Sequence, residues 1–353
     1  MAKALIAMSG GVDSSVAAYL TLQEGRTCIG GTMTLYIPQN DPKSAEQSIA
    51  DAKAVAQRLG MEHHVFPLSE VFEEKVIQKF IRCYECGLTP NPCIDCNRHL
   101  KFDALLQEAL NLGCDHVVTG HYAQIVFDPD SGRYLLKKAA DNAKDQTYFL
   151  YSLNQHQLSH ILFPLGGLEK EQVRQIAQEQ QFVNAKKQDS QDICFIPDGD
   201  YLSFIEHHTG KAYAPGDFLD LQGNVVGTHR GAVGYTLGQR KGLGVAMGTP
   251  VYVCDKDMNA NTVTLGPNEA LYHRSLRAAD WNWISISELS SPMRVLAKAR
   301  SRMAEQPAWV YPEEDGCARV EFDEPQRAIT PGQAVVLYDG EIVVGGGTIT
   351  EVL

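Results

Sequence analysis

Residues 4–16 of the chain read ALIAMSGGVDSSV, and this stretch decides the fold. A short apolar run ends at SGG (residues 9–11), and DSS (residues 13–15) opens a helical pattern. This order predicts a β-strand, a tight glycine turn and the N-terminus of a helix. Gly10 and Gly11 let the backbone approach a ligand closely, and the positive end of a helix favours anions. Helix capping alone needs one hydroxyl, whereas this stretch has three. We therefore predict a phosphate-binding loop, and it is not a Walker A loop because no Gly-Lys-Ser/Thr follows.

Alternating strand and helix patterns occupy roughly the first 200 residues. We predict strands at 28–35, 63–68 and 116–119, and helices at 43–59, 70–82 and 97–112, the last capped by Asn97. This alternation predicts an α/β fold with a doubly wound, mainly parallel sheet. Ligands of such sheets bind beyond the carboxyl ends of the strands. Ser9, Met33 and the pair Gly120-His121 all fall near predicted strand ends, so we expect one site to collect them.

The pattern changes after about residue 205, where glycine-bounded short β runs replace helices. From about residue 275 alternating strands recur with turn signals at Pro331-Gly332 and Asp339-Gly340, which favours a β-barrel. We therefore predict three domains. They are an α/β catalytic domain (1–204), a small, mostly β central domain (205–274) and a C-terminal β-barrel (275–353).

Composition limits the class of protein. A chain of 353 residues with 44% hydrophobic residues can bury a sizeable core over two or three domains. Its net charge of −12 argues against unselective coating of nucleic acid but leaves room for a local basic groove. No run of about 18 apolar residues predicts a membrane span, and the N-terminal residues do not read as a signal peptide. We expect a cytoplasmic protein with no membrane partner, whose nine cysteines are reduced.

Cysteines cluster in residues 83–96, CYECGLTPNPCIDC, and a further cysteine, Cys194, follows the basic pair Lys186-Lys187. One interpretation is that these cysteines are buried hydrophobic residues. A second is a structural zinc site on two CxxC pairs, although only six residues separate the pairs. A third is reactive sulfur, with Cys96 and Cys194 meeting at the ligand of the predicted phosphate-binding loop. In that case the dipole of the helix predicted to begin at Asn97, together with Arg98, would lower the pKa of Cys96.

SGGVDSS resembles the pyrophosphate loop (PP-loop) of N-type ATP pyrophosphatases, which cleave ATP between its α and β phosphates and transfer the AMP. Further motifs in the same order resemble the tRNA-specific 2-thiouridylase family, which thiolates carbon 2 of the wobble uridine of tRNA. They are TPNPCIDCNRHLKF, GHYA, KDQTYFLY, LFPLGGLEK, DSQDICFIPDGDY, YTLGQRKGLG and TPGQAVVLYDGEIVVGGG. The resemblance covers nearly the whole chain. It implies a PP-loop ATP pyrophosphatase domain, a small central domain and a C-terminal β-barrel that contacts tRNA.

The resemblance also implies roles for individual residues. Cys96 corresponds to the nucleophile and Cys194 to the cysteine that carries a persulfide. The implied ATP contacts are Ala7, Met8, Ser9, Gly10, Gly11, Val12, Asp13, Ser14, Ser15, Met33 and Gly120. The implied tRNA contacts are Asn91, Pro92 and Cys93 at the target base, with His121, Lys144, Asp145, Gln146, Arg300, Ser301 and Gln333. From the residues alone, Lys144 to Gln146 would read as a plain polar turn.

Cys93 is a departure from the family pattern, because some members carry aspartate there. Cysteine does not inherit an aspartate's role in proton transfer, since its ordinary pKa is about 8.5 against about 3.9. Cys93, Cys96 and Cys194 together could hold a [4Fe–4S] cluster with one iron open to exogenous sulfide. Two sulfur routes therefore stay open: a persulfide on Cys194, or a cluster on the three cysteines.

The expected reaction uses ATP and Mg²⁺ to adenylate O2 of the uridine before sulfur attacks C2. The expected partners are a tRNA with its anticodon stem-loop and an upstream sulfur donor, which is a persulfide carrier, a cysteine desulfurase or sulfide. Two other functions remain in view. An adenylating ligase or amidotransferase with the same loop would need neither these cysteines nor tRNA. A zinc-stabilised RNA-binding module would bind zinc and turn over no ATP.

Overall fold

The computed structural model describes residues 2–36, 42–188 and 193–353. The first four residues of the motif DSQDICFIPDGDY therefore lie outside the described residues. No helix within these ranges is long and apolar enough to cross a membrane.

The strands are numbered in chain order. They are β1 (Lys3–Ala7), β2 (Thr27–Thr34), β3 (Glu62–Pro67), β4 (His116–Val118), β5 (Gln124–Asp128), β6 (Arg133–Lys137), β7 (Ile161–Leu162), β8 (Gly216–Leu219), β9 (Val225–His229), β10 (Tyr252–Asp257), β11 (Thr262–Gly266), β12 (Tyr272–Trp283), β13 (Met293–Lys298), β14 (Gln306–Pro312), β15 (Ala318–Arg327), β16 (Ala334–Asp339) and β17 (Ile342–Val352).

The helices follow the same convention. They are α1 (Val12–Gln23), α2 (Pro42–Arg58), α3 (Ser69–Phe72), α4 (Gln78–Glu85), α5 (Pro92–Asp95), α6 (Leu105–Asn111), α7 (Thr147–Leu150), α8 (Gln155–Ser159), α9 (Lys170–Glu179) and α10 (Tyr201–Thr209). Wider π-type turns continue the helices at Glu73–Ile77, between α3 and α4, and at Cys96–Ala104, between α5 and α6. Short 3₁₀ turns lie at Ala232–Gly234, Asn268–Leu271 and Glu314–Gly316.

The N-terminal sheet has five parallel strands in the order β3-β2-β1-β4-β7. Its buried side chains alternate between two apolar clusters, with Leu5 and Val117 in one and Ile6 and Val118 in the other. Because alternate residues of a strand face opposite sides, both faces of the sheet are covered. This confirms the predicted α/β fold with a parallel sheet.

The C-terminal region closes into a six-stranded antiparallel barrel. Its strands run β12-β15-β14-β13-β16-β17, and β12 pairs with β17 to complete the circle. Hairpin β5–β6 extends the same sheet through the pairing of Ile342 with Lys137. The residues between the α/β region and the barrel in sequence form a small four-stranded sheet in the order β10-β11-β8-β9. These sheets agree with the predicted central β region and barrel.

Buried polar contacts attach the barrel to the α/β region. The Tyr148 hydroxyl donates to the carbonyl of Ala334 at 2.8 Å. The amide of Asn282 donates to the carbonyls of Tyr151 and Leu153 at 2.6 and 2.9 Å. These bonds join strands β12 and β16 of the barrel to helix α7 and the residues that follow it.

The predicted helix start at Asn97 is wrong. The helix begins at Pro92, and the Asn91 side chain caps it by accepting from the Cys93 amide at 3.2 Å. Pro at the first helical position lacks the N–H that would otherwise be unsatisfied, so Asn91-Pro92 is a strong start signal. Asn97 lies inside the helix, and its amide donates to the Phe149 carbonyl at 3.0 Å.

Candidate active site

The loop between β1 and α1 passes over the carboxyl end of the central strand. Gly10 has φ +70°, and a Cβ there would lie 2.3 Å from the Ser48 carbonyl oxygen. Only glycine satisfies both constraints. Gly11 caps α1 with extended backbone angles, and the Ser14 hydroxyl donates to its carbonyl at 3.1 Å. The loop thus presents the positive end of α1 to a cavity.

Ser15 points away from this cavity. It is fully buried, its hydroxyl donates to the Gly11 carbonyl at 3.0 Å, and it accepts from the Asn184 amide at 3.0 Å. The same Asn184 amide donates to the Gly10 carbonyl at 3.0 Å. Ser15 therefore stabilises the conformation of the loop through these hydrogen bonds and does not face a ligand.

Asp13 is held by a lysine from a distant part of the chain. Lys170, the first residue of α9, donates to both carboxylate oxygens at 2.7 and 2.8 Å, and the Tyr122 hydroxyl donates to one of them at 3.0 Å. Gly120 lies against the same turn, because a Cβ there would be 2.7 Å from the Asp13 carbonyl carbon. The end of β4 can therefore approach the loop only with glycine at this position.

A cavity of about 440 Å³ opens at the carboxyl ends of β1, β2 and β4. The structure brings predicted ATP residues from all three strand ends into its wall. The lining residues are Ala7, Met8, Ser9, Asp13, Ser14, Thr32, Met33, Thr34, Leu35, Tyr36, Ala45, Glu46, Ser48, Ile49, Lys101, Thr119, Gly120, His121, Gln146 and Cys194. We call it the nucleotide cavity. Gly10 and Ser15 are not among its lining residues.

A second cavity of about 440 Å³ borders the same loop and shares Ser9, Asp13, Ser48 and Gln146 with the first. Basic side chains from three regions line it. Its lining residues are Ser9, Gly11, Val12, Asp13, Ser48, Tyr122, Lys144, Gln146, Lys187, Gln188 and Arg302. We call it the phosphate-side cavity. Lys187 donates to the Gly10 carbonyl at 3.2 Å and to the Asp51 carboxylate at 3.1 Å, so it also anchors the loop.

The three cysteines implied in catalysis lie near one another. Burial and then the neighbouring thiolates of Cys96 and Cys93 raise the pKa of Cys194 to about 12. Burial also raises the pKa values of Cys93 and Cys96, and the Lys101 ammonium opposes this effect at all three thiols. Cys194 lines the nucleotide cavity, whereas Cys96 is buried. The expected lowering of the pKa of Cys96 by a helix N-terminus is therefore wrong, since Cys96 lies inside the helix and burial dominates.

A third cavity of about 740 Å³ lies between the α/β region, the central sheet and the barrel. Cys93 is in its wall, so the thiols connect it with the nucleotide cavity. Six residues implied in tRNA contact line this large cavity: Asn91, Pro92, Cys93, Arg300, Ser301 and Gln333. Gln333 donates to the carbonyls of Thr89 and Pro90 at 2.9 and 3.3 Å, which fixes the barrel against the segment that precedes the helix.

The other implied tRNA residues lie elsewhere. His121 is buried in the wall of the nucleotide cavity, where Lys101 donates to its Nε2 at 3.4 Å and its Nδ1 faces the Thr119 hydroxyl at 2.6 Å. Burial and the adjacent ammonium hold the pKa of His121 well below its usual range, so this histidine is neutral. Lys144 and Gln146 line the phosphate-side cavity. The Asp145 carboxylate is engaged by the Ala139 amide at 3.0 Å and the Thr147 hydroxyl at 2.6 Å, which shapes the loop.

No three His, Cys, Asp or Glu side chains converge around one metal ion within residues 2–36, 42–188 and 193–353. The electrostatic neighbours of Cys83 are Cys86, Lys79, Asp95 and Arg82, not Cys93 or Cys96. The two CxxC pairs therefore do not form the zinc site that one interpretation of the sequence required.

Four basic residues at the site were not singled out for it from the sequence: Lys101, Lys170, Lys187 and Arg302. Lys170 ends the motif LFPLGGLEK, and Lys101 lies in TPNPCIDCNRHLKF, so both positions belonged to motifs already noted. Asp13, the partner of Lys170, is 157 positions away in sequence, and the thiols near Lys101 lie in a helix whose start was misplaced and, for Cys194, in a distant segment. Only the fold reveals these pairings.

Three family models match successive parts of the chain. They are described as tRNA methyl transferase HUP domain (residues 2–198), tRNA methyl transferase PRC-barrel domain (202–267) and aminomethyltransferase beta-barrel domain (273–349). The chain is 50% identical to the tRNA-specific 2-thiouridylase MnmA of Acetivibrio thermocellus, over 98% of this chain and 99% of that protein. It is 48% identical to the protein of the same name from Clostridioides difficile, over 99% of both chains.

Among solved structures, the chain is similar to the U34-tRNA thiolase NcsA from Methanococcus maripaludis with its [4Fe-4S] cluster. It is 17% identical to this chain, with a TM-score of 0.35 over 59% of this chain and 67% of that chain.

Proposed function

Because the chain belongs to the tRNA-specific 2-thiouridylase family, we propose that it uses ATP to replace O2 of the wobble uridine of tRNA with sulfur. The observation that carries this proposal is the position of three thiols between two cavities. Cys194 lines the cavity at the phosphate loop and Cys93 lines the large cavity beside the barrel. A base that enters from the large cavity would meet both activated phosphate and sulfur.

We propose that ATP occupies the nucleotide cavity with its triphosphate over the β1–α1 loop. The N-terminus of α1 and the hydroxyl of Ser9 stabilise phosphate charge, while Met33 and Gly120 bound the cavity. Asn184 and Ser15 hold the loop rigid from behind. Preorganised donors of this kind lower the barrier because they need no rearrangement during the reaction.

Magnesium fits the oxygen-rich phosphate side of this site. Mg²⁺ is commonly bound through one or two carboxylates together with substrate phosphates. Asp13 is the carboxylate of the loop, and its side chain keeps 30% of its surface exposed despite the ion pair with Lys170. Bound there, the metal would neutralise charge that accumulates on the leaving pyrophosphate.

We propose that the uridine is held beside Asn91, Pro92 and Cys93 in the large cavity. Its O2 attacks the α-phosphorus of ATP, the bond to the β-phosphate oxygen breaks, pyrophosphate leaves, and the N3 proton of the base is lost. C2 then carries adenylate, a far better leaving group than the original oxygen. Arg300, Ser301 and Gln333 belong to the wall that would hold the tRNA.

In the persulfide route, an upstream donor places a sulfane sulfur on Cys194. The terminal sulfur attacks C2, AMP leaves, and the base is joined to Cys194 through a disulfide. The Cys96 thiolate then attacks the Cys194 sulfur, which releases 2-thiouridine and forms a Cys96–Cys194 disulfide. A thiol reductant supplies the two electrons that regenerate both thiols. The proximity of Cys96 and Cys194 supports this exchange.

The cluster route uses the same three thiols in another way. Cys93, Cys96 and Cys194 are neighbours without converging on one ion, and thiolates are the usual ligands of a [4Fe–4S] cluster. They would hold three irons, and the fourth would supply an open position for sulfide. Iron analysis after anaerobic purification distinguishes the routes, because only this one requires about four irons per chain.

We also propose that residues 1–204, 205–274 and 275–353 act as catalytic, central and tRNA-contacting domains. The separate sheets and the three successive family models support this division.

The test of the proposed function is pyrophosphate release that depends on tRNA. We expect release from ATP with a tRNA that carries uridine at the wobble position, and little with the same tRNA carrying cytidine there. Equal release without tRNA would favour an adenylating ligase on a small substrate. No ATP turnover under any condition would leave only an RNA-binding role.

A further inference from the structure

Arg302 connects the two functional cavities. It lies in the tight turn after β13, where the Met303 amide donates to the Arg300 carbonyl at 3.2 Å. Arg302 lines both the large cavity and the phosphate-side cavity. Among the described residues that line the phosphate-side cavity, Arg302 comes from the barrel and the others come from the α/β region.

The turn itself is firmly anchored. Arg300 donates to the Leu237 carbonyl at 3.0 Å and to the Thr330 hydroxyl. Burial lowers the pKa of Arg300 from its usual value, as expected for a guanidinium enclosed by protein. Two positions later, Arg302 is exposed and makes no hydrogen bond or ion pair with the described residues. An anchored turn therefore presents a guanidinium with free donors to the phosphate loop.

The charges around the phosphate-side cavity differ in availability. Lys187 is engaged by the Asp51 carboxylate and the Gly10 carbonyl. Asp13 is engaged by Lys170. The guanidinium of Arg302 offers a planar fork of donors that matches two phosphate oxygens at once.

We propose that Arg302 binds the β- and γ-phosphates of ATP and then the departing pyrophosphate, so that the barrel completes the nucleotide site. This inference rests on the proposed function. The turn that carries Arg302 also borders the large cavity. A tRNA bound in that cavity therefore contacts this turn and can influence the position of the Arg302 side chain. The leaving group is thus best stabilised when the substrate RNA is in place, which couples ATP cleavage to tRNA.

The first experiment measures binding of inorganic pyrophosphate and of AMP to the full-length chain by calorimetry. We compare wild type with Arg302→Ala, Arg302→Lys and the control Arg274→Ala. Arg274 is an exposed barrel arginine whose nearest acid, Glu324, is 4.0 Å away, so its removal makes the same charge change. Arg302→Ala should weaken pyrophosphate binding about tenfold to a hundredfold, the effect of one charge-assisted hydrogen-bonded contact. Arg302→Lys should lie between it and wild type.

AMP binding should be unchanged in all variants, because AMP lacks the phosphates that Arg302 contacts. Unchanged pyrophosphate binding in Arg302→Ala overturns the inference, and so does equal weakening in Arg274→Ala or in AMP binding. Absence of pyrophosphate binding in wild type also overturns it. This test requires neither tRNA nor sulfur chemistry.

The second experiment separates the inference from the proposed function. At saturating tRNA, the stimulation of pyrophosphate release by tRNA should fall at least tenfold in Arg302→Ala and stay near the wild-type level in Arg274→Ala. If wild type releases no pyrophosphate in response to tRNA, the proposed function fails, while the binding experiment still decides whether Arg302 is a pyrophosphate ligand. If the stimulation survives in Arg302→Ala, the coupling through this turn is refuted.

Discussion

Replacing Lys170 with methionine removes the counter-charge of Asp13 and keeps the apolar volume of the side chain. At 2.7 Å and an effective dielectric constant of about 20, the Coulomb attraction of the pair is about 6 kcal/mol before desolvation is subtracted. Breaking a fully buried pair usually costs about 3–5 kcal/mol. The Asp13 side chain is 30% exposed, so water replaces part of the loss. We therefore expect a loss of about 2 kcal/mol in the local stability of the loop and α1.

Tryptophan fluorescence does not report this change, because Trp281, Trp283 and Trp309 are the three tryptophans of the chain and all lie in the barrel. Native-state hydrogen exchange of peptides from α1 measures it directly. In Lys170→Met the α1 amides should exchange about 30-fold faster, the equivalent of about 2 kcal/mol. Adding Asp13→Asn should recover part of that loss, since it removes the charge left without a partner.

Without Mg²⁺, the same variant should bind ATP about tenfold more weakly. An Asp13 carboxylate without its counter-charge repels the triphosphate, and a unit charge at about 6 Å contributes about 3 kcal/mol at the same dielectric constant, reduced by screening. The matched control is Lys138→Met. Lys138 pairs with Glu305 at 2.6 Å in a similarly enclosed setting, but neither residue lines the nucleotide or phosphate-side cavity. Unchanged α1 exchange and unchanged ATP affinity in Lys170→Met would refute the reasoning.

Three further predictions follow from close packing, burial and thiol proximity. Gly120→Ala should weaken ATP binding more than tenfold because its Cβ would lie 2.7 Å from the Asp13 carbonyl carbon, whereas Gly167→Ala, with no atom within 4 Å, should not; equilibrium dialysis compares them. Burial lowers the pKa of Lys256 to about 8. Between about pH 8 and pH 10.5 the folded state therefore binds fewer protons at this lysine than the unfolded state does. The free energy of unfolding consequently rises with pH in this range. Relative to Lys256→Met, the unfolding free energy of wild type should rise by at most about 1.4 kcal/mol per pH unit in that window. Urea unfolding measures it, and a difference between the two proteins that does not change with pH would contradict this prediction. Cys96→Ser should retain ATP binding and lose multiple-turnover thiolation, measured as 2-thiouridine per chain; full turnover would remove Cys96 from both sulfur routes.

The parts of the fold that depend on local pattern could be predicted from the sequence. The strands and helices of the α/β region shift by only a few residues between prediction and structure, because alternating and helical hydrophobic patterns reflect which face is buried. The predicted strand 28–35, for example, is Thr27–Thr34 in the structure. The long strand β12 and the addition of hairpin β5–β6 to the barrel sheet were not predicted. Pairing between strands far apart in sequence leaves little trace in either strand alone.

The helix that carries the cysteines shows why one local choice matters. Asn97 and Asn91 both precede helical pattern, and only Asn91 is followed by proline. Choosing Asn97 placed Cys96 at a helix N-terminus, which predicted a lowered pKa for Cys96, whereas its pKa is raised in the structure. Once the helix begins at Pro92, Cys96 is in its second turn and buried, so desolvation dominates.

The site itself could be predicted where a residue belongs to a loop with special backbone requirements. Gly10 is such a residue, since its φ of +70° excludes most side chains. Lys170, Lys187 and Arg302 could not be assigned in this way. A lysine or arginine on the surface of a helix or turn has the same local sequence pattern whether it faces solvent or a phosphate.

The most direct test of the central claim separates adenylation from sulfur transfer in one reaction. Wild type and Cys194→Ser are incubated with ATP, Mg²⁺, tRNA and a sulfur donor, and both pyrophosphate and the nucleosides of the tRNA are measured by mass spectrometry. Wild type should give 2-thiouridine only with ATP, and Cys194→Ser should release pyrophosphate in response to tRNA but form no 2-thiouridine. Undiminished 2-thiouridine in Cys194→Ser, or thiolation without ATP in wild type, would contradict a site in which phosphate and thiols act on the same base.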